Sequence, residues 1–385
     1  MKILNCIVDD KFIDCFIDVL EVAKGIHTIE YVIFSEQSEG SYKYIHKTQY
    51  VKRVLWKDCV QYVNNGNYDL IILHSLSSFP LLKISEIKSS CKILWKAWGF
   101  DIYRTPDGIS PFIPLKRLQP ISKRFWKQNC RNERINILKM FIYNLLHRKQ
   151  IKRSVQRIDY FSGCLPSEYE LMKRNPFFKA KHLLFDYFYL NSDYCKEKLY
   201  DFPVLGVNIL VGNSAGILNN HLDILEQLKN ITPNDKKIIL PLSYGGNKPY
   251  IDYIKHYGQK IWNEKFISVE TFMPRNEYFE LIESCGYAIF GLEQQAALGN
   301  VFHAFWIGAK VFLSETSINY QYFKQNNFIV YTIQHDLTKE HLNTPLTKEE
   351  ILVNRKAFLK VMSVEVSFQR IVTLFKTVEK DICNN

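Results

Sequence analysis

The chain reads as an α/β protein in which two doubly wound parallel sheets face one cleft. Apolar, β-rich runs alternate with helical patterns along almost its whole length, and polar residues collect just after those runs, where such sheets hold their ligands. Length agrees with this, because 385 residues that are 47% hydrophobic favour two cores over one.

The first series of strands is expected at Lys2 to Val8, Thr28 to Phe34, Leu70 to His74, Ile93 to Trp98 and Tyr160 to Cys164. A second series is expected at Val207 to Val211, Lys237 to Leu242, Ile267 to Thr271, Tyr287 to Phe290, Lys310 to Leu313 and Phe328 to Tyr331. Helical periodicity lies between most of them, so successive strands are joined by crossovers and the sheets are parallel. The polar, then proline-bearing stretch from Asn191 to Pro203 divides the two series. This predicts a first domain over 1–200, a second over 201–345, and a helical segment over 346–385 that returns to the first.

Several classes are disfavoured. The start, Met1 to Asp10, has an apolar run too short for a secretory signal and reads as a strand closed by acids. Ile238 to Leu242 and the broken stretch Ile135 to Leu146 fall well short of the ~20 residues that span a bilayer. A cytosolic location is expected. The nine cysteines, at 6, 15, 59, 91, 130, 164, 195, 285 and 383, show no Cys-x-x-Cys and no histidine at metal spacing, so they are expected as reduced thiols with no zinc or redox role.

Charge is concentrated in one segment. Thirteen of the fifty bases but a single acid, Glu133, fall between Lys116 and Arg157, and the rest of the chain is close to neutral. Phe125, Trp126, Ile135, Leu138, Met140, Phe141, Ile142, Tyr143, Leu145 and Leu146 interleave with those bases. Cations mixed with aromatic and aliphatic groups suit an anionic headgroup layer, so Lys116, Arg117, Lys123 and Arg124 are candidate membrane or acceptor contacts. Nucleic acid is the rival partner, but no zinc-finger, RNP-like or helix-turn-helix signature accompanies the charge. A plain solvated basic helix pair is the simplest alternative.

The loops that follow the second series are unusually polar. Gly212, Asn213 and Ser214 follow its first strand, and Ser243, Tyr244, Gly245, Gly246 and Asn247 its second. Gly291 to Asn300, including Glu293, Gln294, Gln295 and Gly299, follow its fourth and lead into a helical pattern. A strand ending in a small polar turn before a helix presents backbone N–H groups to an anion such as a diphosphate. Neither a Gly-rich dinucleotide fingerprint nor a phosphate loop ending in Gly-Lys-Ser/Thr is present, which disfavours nicotinamide enzymes and P-loop ATPases.

The run Ile209-Leu210-Val211-Gly212-Asn213-Ser214 with Asn220-His221, the Pro241-Leu242-Ser243-Tyr244 strand end, and Gln294-Gln295 with Gly299 resemble glycosyltransferase family 56. That is the TDP-N-acetylfucosamine:lipid II N-acetylfucosaminyltransferase, or 4-α-L-fucosyltransferase, family. His74, the run Trp95 to Tyr103, and Pro114-Leu115-Lys116-Arg117-Leu118 are similar to the family in the first half, so the resemblance spans roughly residues 70 to 335. It implies a GT-B-like pair of Rossmann-type domains. It also implies transfer of a deoxyamino sugar from a TDP donor to an undecaprenyl-diphosphate saccharide at the cytoplasmic membrane face. Two positions depart from the family: Glu293 stands where a base is usual, and Gly245-Gly246-Asn247-Lys248 replaces a proline-containing loop.

Cleaving a sugar from a nucleoside diphosphate builds negative charge on the leaving phosphate, so donors or cations have to meet it there. With no Asp-x-Asp site in a plausible loop, no cofactor is expected. Asn213, Ser214, Ser243, Tyr244, Gly299 and Asn300 are the candidate donors, and Lys248 or Arg275 the candidate cations. For the acceptor hydroxyl, Asp101 is the first candidate base and His74 the second. Against these stand the ordinary roles of such residues, an Asp capping a helix and a His satisfied in a core. Trp98 suits a core or a sugar-stacking post, and Gly99 a turn. A catalytically silent nucleotide- or glycan-binding protein on the same scaffold is the alternative reading, with a basic nucleic-acid-binding protein behind it.

Overall fold

The protein is described by a computed structural model covering residues 1–21, 26–103, 116–186, 200–202 and 205–384. Pro114 and Leu115, most of the expected join from Asn191 to Pro203, and the side chain of Arg275 lie outside the described parts.

Among the described residues thirteen strands form two all-parallel sheets. The first holds β1 (Lys2–Cys6), β2 (Thr28–Ser35), β3 (Val51–Leu55), β4 (Leu70–His74), β5 (Lys92–Lys96), β6 (Tyr160–Ser162) and β7 (Lys181–His182), in the order β3-β2-β1-β4-β5-β6-β7. The second holds β8 (Asn208–Val211), β9 (Ile238–Pro241), β10 (Phe266–Val269), β11 (Cys285–Phe290), β12 (Lys310–Leu313) and β13 (Tyr331–Thr332), in the order β10-β9-β8-β11-β12-β13. Both orders reverse direction once, between β1 and β4 and between β8 and β11. Ligands of doubly wound sheets gather at such points.

Alternation along each strand sends its residues to two helix-covered faces. In the first sheet Ile3, Ile33, Leu70, Ile72 and Leu94 point to one face, and Leu4, Val32, Ile71, Leu73, Ile93 and Trp95 to the other. In the second, Ile209, Val211, Ile238, Leu240 and Ile289 are opposed to Leu210, Ile239, Ala288, Phe290 and Val311. The central strands are therefore apolar on both sides, which is why they stand out in the sequence.

Each sheet is covered partly by chain from the other half. Phe125 and Trp126 of the Pro120–Asn129 helix pack into the second sheet with Leu222, Leu225 and Tyr250. In return, Ile371, Leu374, Phe375 and Val378 of the final Val364–Cys383 helix pack against Ile3, Phe16 and Ile72 of the first. Full burial of side chains of this size is worth about 1.5–3 kcal/mol each, so the exchanged helices bind the lobes together.

Two strands are absent from the sequence reading. β3 is a half-buried edge strand with Lys52 and Arg53 at its centre, and β7 is a two-residue edge. Strand ends differ elsewhere as well: β13 begins at Tyr331, where the expected strand ended. All eight described cysteines are free thiols, and Cys6, Cys59, Cys91, Cys130 and Cys285 are buried.

Candidate functional site

The loops after β8, β9 and β11 form one continuous edge. The Asn213 amide donates to the Tyr244 hydroxyl at 3.2 Å, and the Ala215 N–H to the Tyr244 carbonyl at 2.7 Å. Asn219 shapes the first loop from beneath, its Nδ2 donating to Ser214 O and Ser214 Oγ while its Oδ1 accepts from the Asn213 N–H. Asn220 then ties this loop to the third, donating to Gly291 O at 2.6 Å. Neither Asn219 nor Asn220 has a role in the sequence reading: Asn220 stands there only as part of the motif that begins at Ile209, and Asn219 falls outside it.

Left-handed backbone recurs along the same edge. Gly212, Gly245 and Ala297 have φ of 71°, 83° and 58°, one in each loop. At Gly212 a side chain is excluded, because a β-carbon would lie 2.6 Å from His221 Nε2 and 2.9 Å from Asn219 Oδ1. Ala297 holds its left-handed conformation immediately before the Leu298–Ile307 helix, at a cost of about 1–2 kcal/mol for a residue with a β-carbon. The first helical turn thus starts abruptly, and the amides of Leu298, Gly299 and Asn300 have no partners within the helix. In the first lobe, Ser75 after β4 (φ 66°) and Gly99 after β5 (φ 71°) repeat the pattern. Conformations of this kind collect at functional edges.

First-lobe residues come down onto the loop after β11. Arg117 is only 2% exposed, its guanidinium donating to Tyr103 O at 2.7 Å and to Gln294 Oε1. Gln119 donates through its side chain to Glu293 and through its backbone to Asn220 Oδ1 at 2.9 Å. Gly99 lies directly under Gln295, where a β-carbon would meet Oε1 at 2.7 Å. Across the loop after β9, Lys11 Nζ is 6.0 Å from the centre of the Tyr244 ring.

Glu293 is buried, and its carboxylate also accepts from Ser314 Oγ at 2.7 Å and Thr316 Oγ1 at 2.6 Å. Its charge is spent on these donors, so a carboxylate in this loop does not face an incoming anion. Lys248, offered as a cation for the leaving group, is exposed and paired with Asp252 on its own helix at 2.8 Å. Ser243 follows β9 directly and is half-buried.

The two residues expected as bases occupy interior posts. Asp101 is 2% exposed, and its oxygens accept from Leu76 N at 2.9 Å, Trp95 Nε1 at 2.7 Å and Trp98 N at 2.9 Å. Burial raises its pKa while these donors pull it down, and the result is a clamp between the loops after β4 and β5. His74 is fully buried, 3.2 Å from Asn5 Oδ1 and ring to ring with Phe16. Burial, and then the neighbouring Lys96, hold it well below the usual imidazole range.

Asp10 lies in the turn after β1, at the first sheet's reversal point. It is half-buried and accepts from Phe12 N at 3.1 Å, and burial raises its pKa. Only its position after a central strand marks it in the sequence. Behind the cleft, Glu168 is fully buried, accepting from Tyr103 Oη at 3.0 Å, Cys164 N and Leu165 N. Burial pushes it up to about 7. Among the described residues no group of three or more His, Cys, Asp or Glu side chains is arranged to hold a metal ion.

The basic segment divides in two. Arg117, expected at a membrane, is instead buried between the lobes, because its guanidinium is needed by Tyr103 O and Gln294. The amides of Ile121 and Ser122 are capped by Asp223, which directs the helix carrying Lys123 and Arg124 onto the second lobe. Lys116 and Arg124 are exposed and Lys123 half-buried. No helix among the described residues is long and apolar enough to cross a membrane.

The family described as 4-alpha-L-fucosyltransferase glycosyl transferase group 56 matches residues 139–366, so the motifs around His74, Trp95 to Tyr103 and Pro114 to Leu118 lie ahead of the match. Among solved structures, Anabaena HepE in complex with UDP and glucose is similar with a TM-score of 0.64 at 12% identity, over 98% of this chain and 100% of that one. A glycosyltransferase from Rickettsia africae is similar with a TM-score of 0.62 at 12% identity, over 98% of each chain. The lipopolysaccharide outer core galactosyltransferase WaaB is similar with a TM-score of 0.59 at 10% identity, over 98% of this chain and 99% of that one. At such identities the likeness is one of fold, the GT-B arrangement of two doubly wound lobes about a cleft.

Proposed function

We propose that this chain, which belongs to glycosyltransferase group 56 and is a glycosyltransferase, moves a deoxyamino sugar of the N-acetylfucosamine kind from a TDP donor to a saccharide carried on polyprenyl diphosphate. The reaction serves surface polysaccharide or antigen assembly, with the protein peripheral on the inner face of a bacterial cell membrane. The observation that carries this reading is the single edge made by the loops at 212–216, 243–247 and 291–300. It combines anion-binding amides, small residues and carboxamides at the reversal point of one sheet and in contact with the other lobe.

In this reading the diphosphate lies against the turn at Gly212, Asn213 and Ser214 and the first turn of the Leu298–Ile307 helix. Backbone N–H dipoles aimed at the leaving oxygen strengthen as charge builds there, which lowers the barrier to cleavage. Ser243, Tyr244, Gln294, Gln295, Gly299 and Asn300 line the same edge, and Glu293 braces it. The acceptor approaches from the first lobe, where Asp10 accepts the hydroxyl proton. Burial raises its pKa above the usual aspartate value, which makes its carboxylate the stronger base. Asp101 and His74 act as positioning residues beneath it.

The test is a donor panel. TDP and TDP-sugars should raise the melting temperature more than UDP, GDP or AMP, and purified protein should extend a prenyl-diphosphate saccharide with a TDP-deoxyamino sugar. Equal stabilisation by every nucleotide, or transfer only from another nucleotide class, rejects the donor assignment. Steeply salt-dependent DNA binding with no response to nucleotide sugars favours the nucleic-acid reading instead.

A further inference from the structure

We propose that the outer face of the Arg131–Leu146 helix, with the start of the Arg148–Arg157 helix, is an insertion surface for an anionic bilayer. Ile137 is buried against the second lobe, and Met140 and Asn144 are half-buried. These three sit at helical spacing and define the side that faces the protein. On the other side Leu138, Phe141, Ile142, Leu145 and Leu146 are 59%, 50%, 47%, 60% and 75% exposed. The usual amphipathic arrangement is thus inverted, with the broad apolar face turned away from the core.

The surroundings select the occupant. Arg131, Arg134, Lys139, Arg148, Lys149, Lys152 and Arg153 are all exposed around this face. The one acid of the segment, Glu133, is occupied by Trp126 Nε1 at 2.8 Å and Asn247 Nδ2 at 2.9 Å. Aliphatic and aromatic groups ringed by cations match a layer with an acyl interior and anionic headgroups. A nucleic-acid groove has no use for so many exposed aliphatics.

The face is also fixed relative to the cleft. Ile137 anchors one helix on the second lobe, and Ile151 and Val155 anchor the next on the first. The same stretch of chain begins at Arg117 and Gln119, which touch Gln294 and Glu293. A bilayer held at this corner therefore presents lipid-borne acceptors to the groove in one orientation. This inference rests on the reading of a polyprenyl-linked acceptor, but its surface is testable alone.

The experiment is flotation of the full chain with phosphatidylglycerol–phosphatidylethanolamine vesicles and with phosphatidylcholine vesicles. Wild type should float with the anionic vesicles and at least about tenfold less with the neutral ones. Leu138→Ser, Phe141→Ser, Leu145→Ser and Leu146→Ser combined should reduce anionic-vesicle binding about tenfold or more. Because all four side chains are exposed, the variant should keep its melting temperature and its transfer to a short-chain, water-soluble prenyl-diphosphate saccharide. Phe141→Trp should show a blue-shifted emission on the anionic vesicles. Unchanged flotation of the quadruple variant, or a wild type that never floats, overturns the surface. So does a wild-type dimer that the four serines dissociate while vesicle binding persists. Normal vesicle binding without transfer from any TDP-sugar sinks the substrate reading and leaves the surface standing.

Discussion

Asn220 Nδ2 donates to the Gly291 carbonyl at 2.6 Å, and this bond joins the two loops that flank the reversal point of the second sheet. The same side chain reaches Arg117 O at 3.1 Å and accepts from Gln119 N at 2.9 Å, so one carboxamide fastens three segments from both lobes. Its left-handed backbone, φ 52°, suits asparagine better than residues with an apolar β-carbon.

Asn220→Ala should therefore cost about 3 kcal/mol, from orphaned buried partners and backbone strain together. Urea unfolding measures the loss. Donor affinity should fall with it, whereas a variant that unfolds like wild type contradicts the fastening role.

Gly212→Ala and Gly245→Ala separate close packing from backbone strain. Both sites have positive φ, but a β-carbon at Gly245 meets nothing nearer than 3.4 Å, against 2.6 Å at Gly212. The change at 245 should cost about 1 kcal/mol. At 212 it should cost more and abolish TDP-sugar binding, since His221 is buried and Asn219 is held by its hydrogen bonds. Equal effects in thermal melts and donor titrations would remove the case for a tight turn.

Asn213→Ala and Ser214→Ala should weaken donor binding about tenfold while leaving the fold intact, as each removes a polar group at the proposed diphosphate. Isothermal titration with a TDP-sugar gives the answer, and unchanged affinity retires the assignment.

Asp10→Asn should lower kcat by about 100-fold with little change in the donor KM. A base works deprotonated, so wild-type activity should fall as acid protonates this carboxylate, at a pH above that of a free aspartate because burial raises it. Retention of kcat in the variant, or loss of the acidic limb after Asp101→Asn alone, assigns the proton elsewhere.

Glu168 makes stability depend on pH. Its carboxyl titrates near 4.5 when unfolded and at about 7 when buried, so between those values the folded state holds the extra proton. Stability is then fullest below the lower value and is lost as pH rises through the upper one, by on the order of 3 kcal/mol. Glu168→Gln should flatten that decline in denaturant titrations at about pH 5 and about pH 8. A decline as steep as in wild type would mean other groups carry it.

Much of the architecture is legible in the chain alone. Central strands such as Leu70–His74 and Cys285–Phe290 are apolar on both faces, so local composition declares them, and the crossovers between them imply parallel sheets. The three polar loops after β8, β9 and β11 were recognisable for the same reason, since each follows a strand that is easy to see. Edge strands β3 and β7 were not, because one is half-polar and the other has two residues.

Roles that depend on what lies across the fold belong to the tertiary structure. Asp101 after a strand resembles a base until Leu76, Trp95 and Trp98 are seen to use its oxygens, and Arg117 in a basic run resembles a membrane contact until Gln294 closes over it. Sequence spacing records which side chains a helix or strand can offer. Whether a charge meets solvent, a lipid or a buried carbonyl is set by partners as distant in the chain as Gln294 is from Arg117, 177 positions, and desolvation and hydrogen bonding there decide what the group can do.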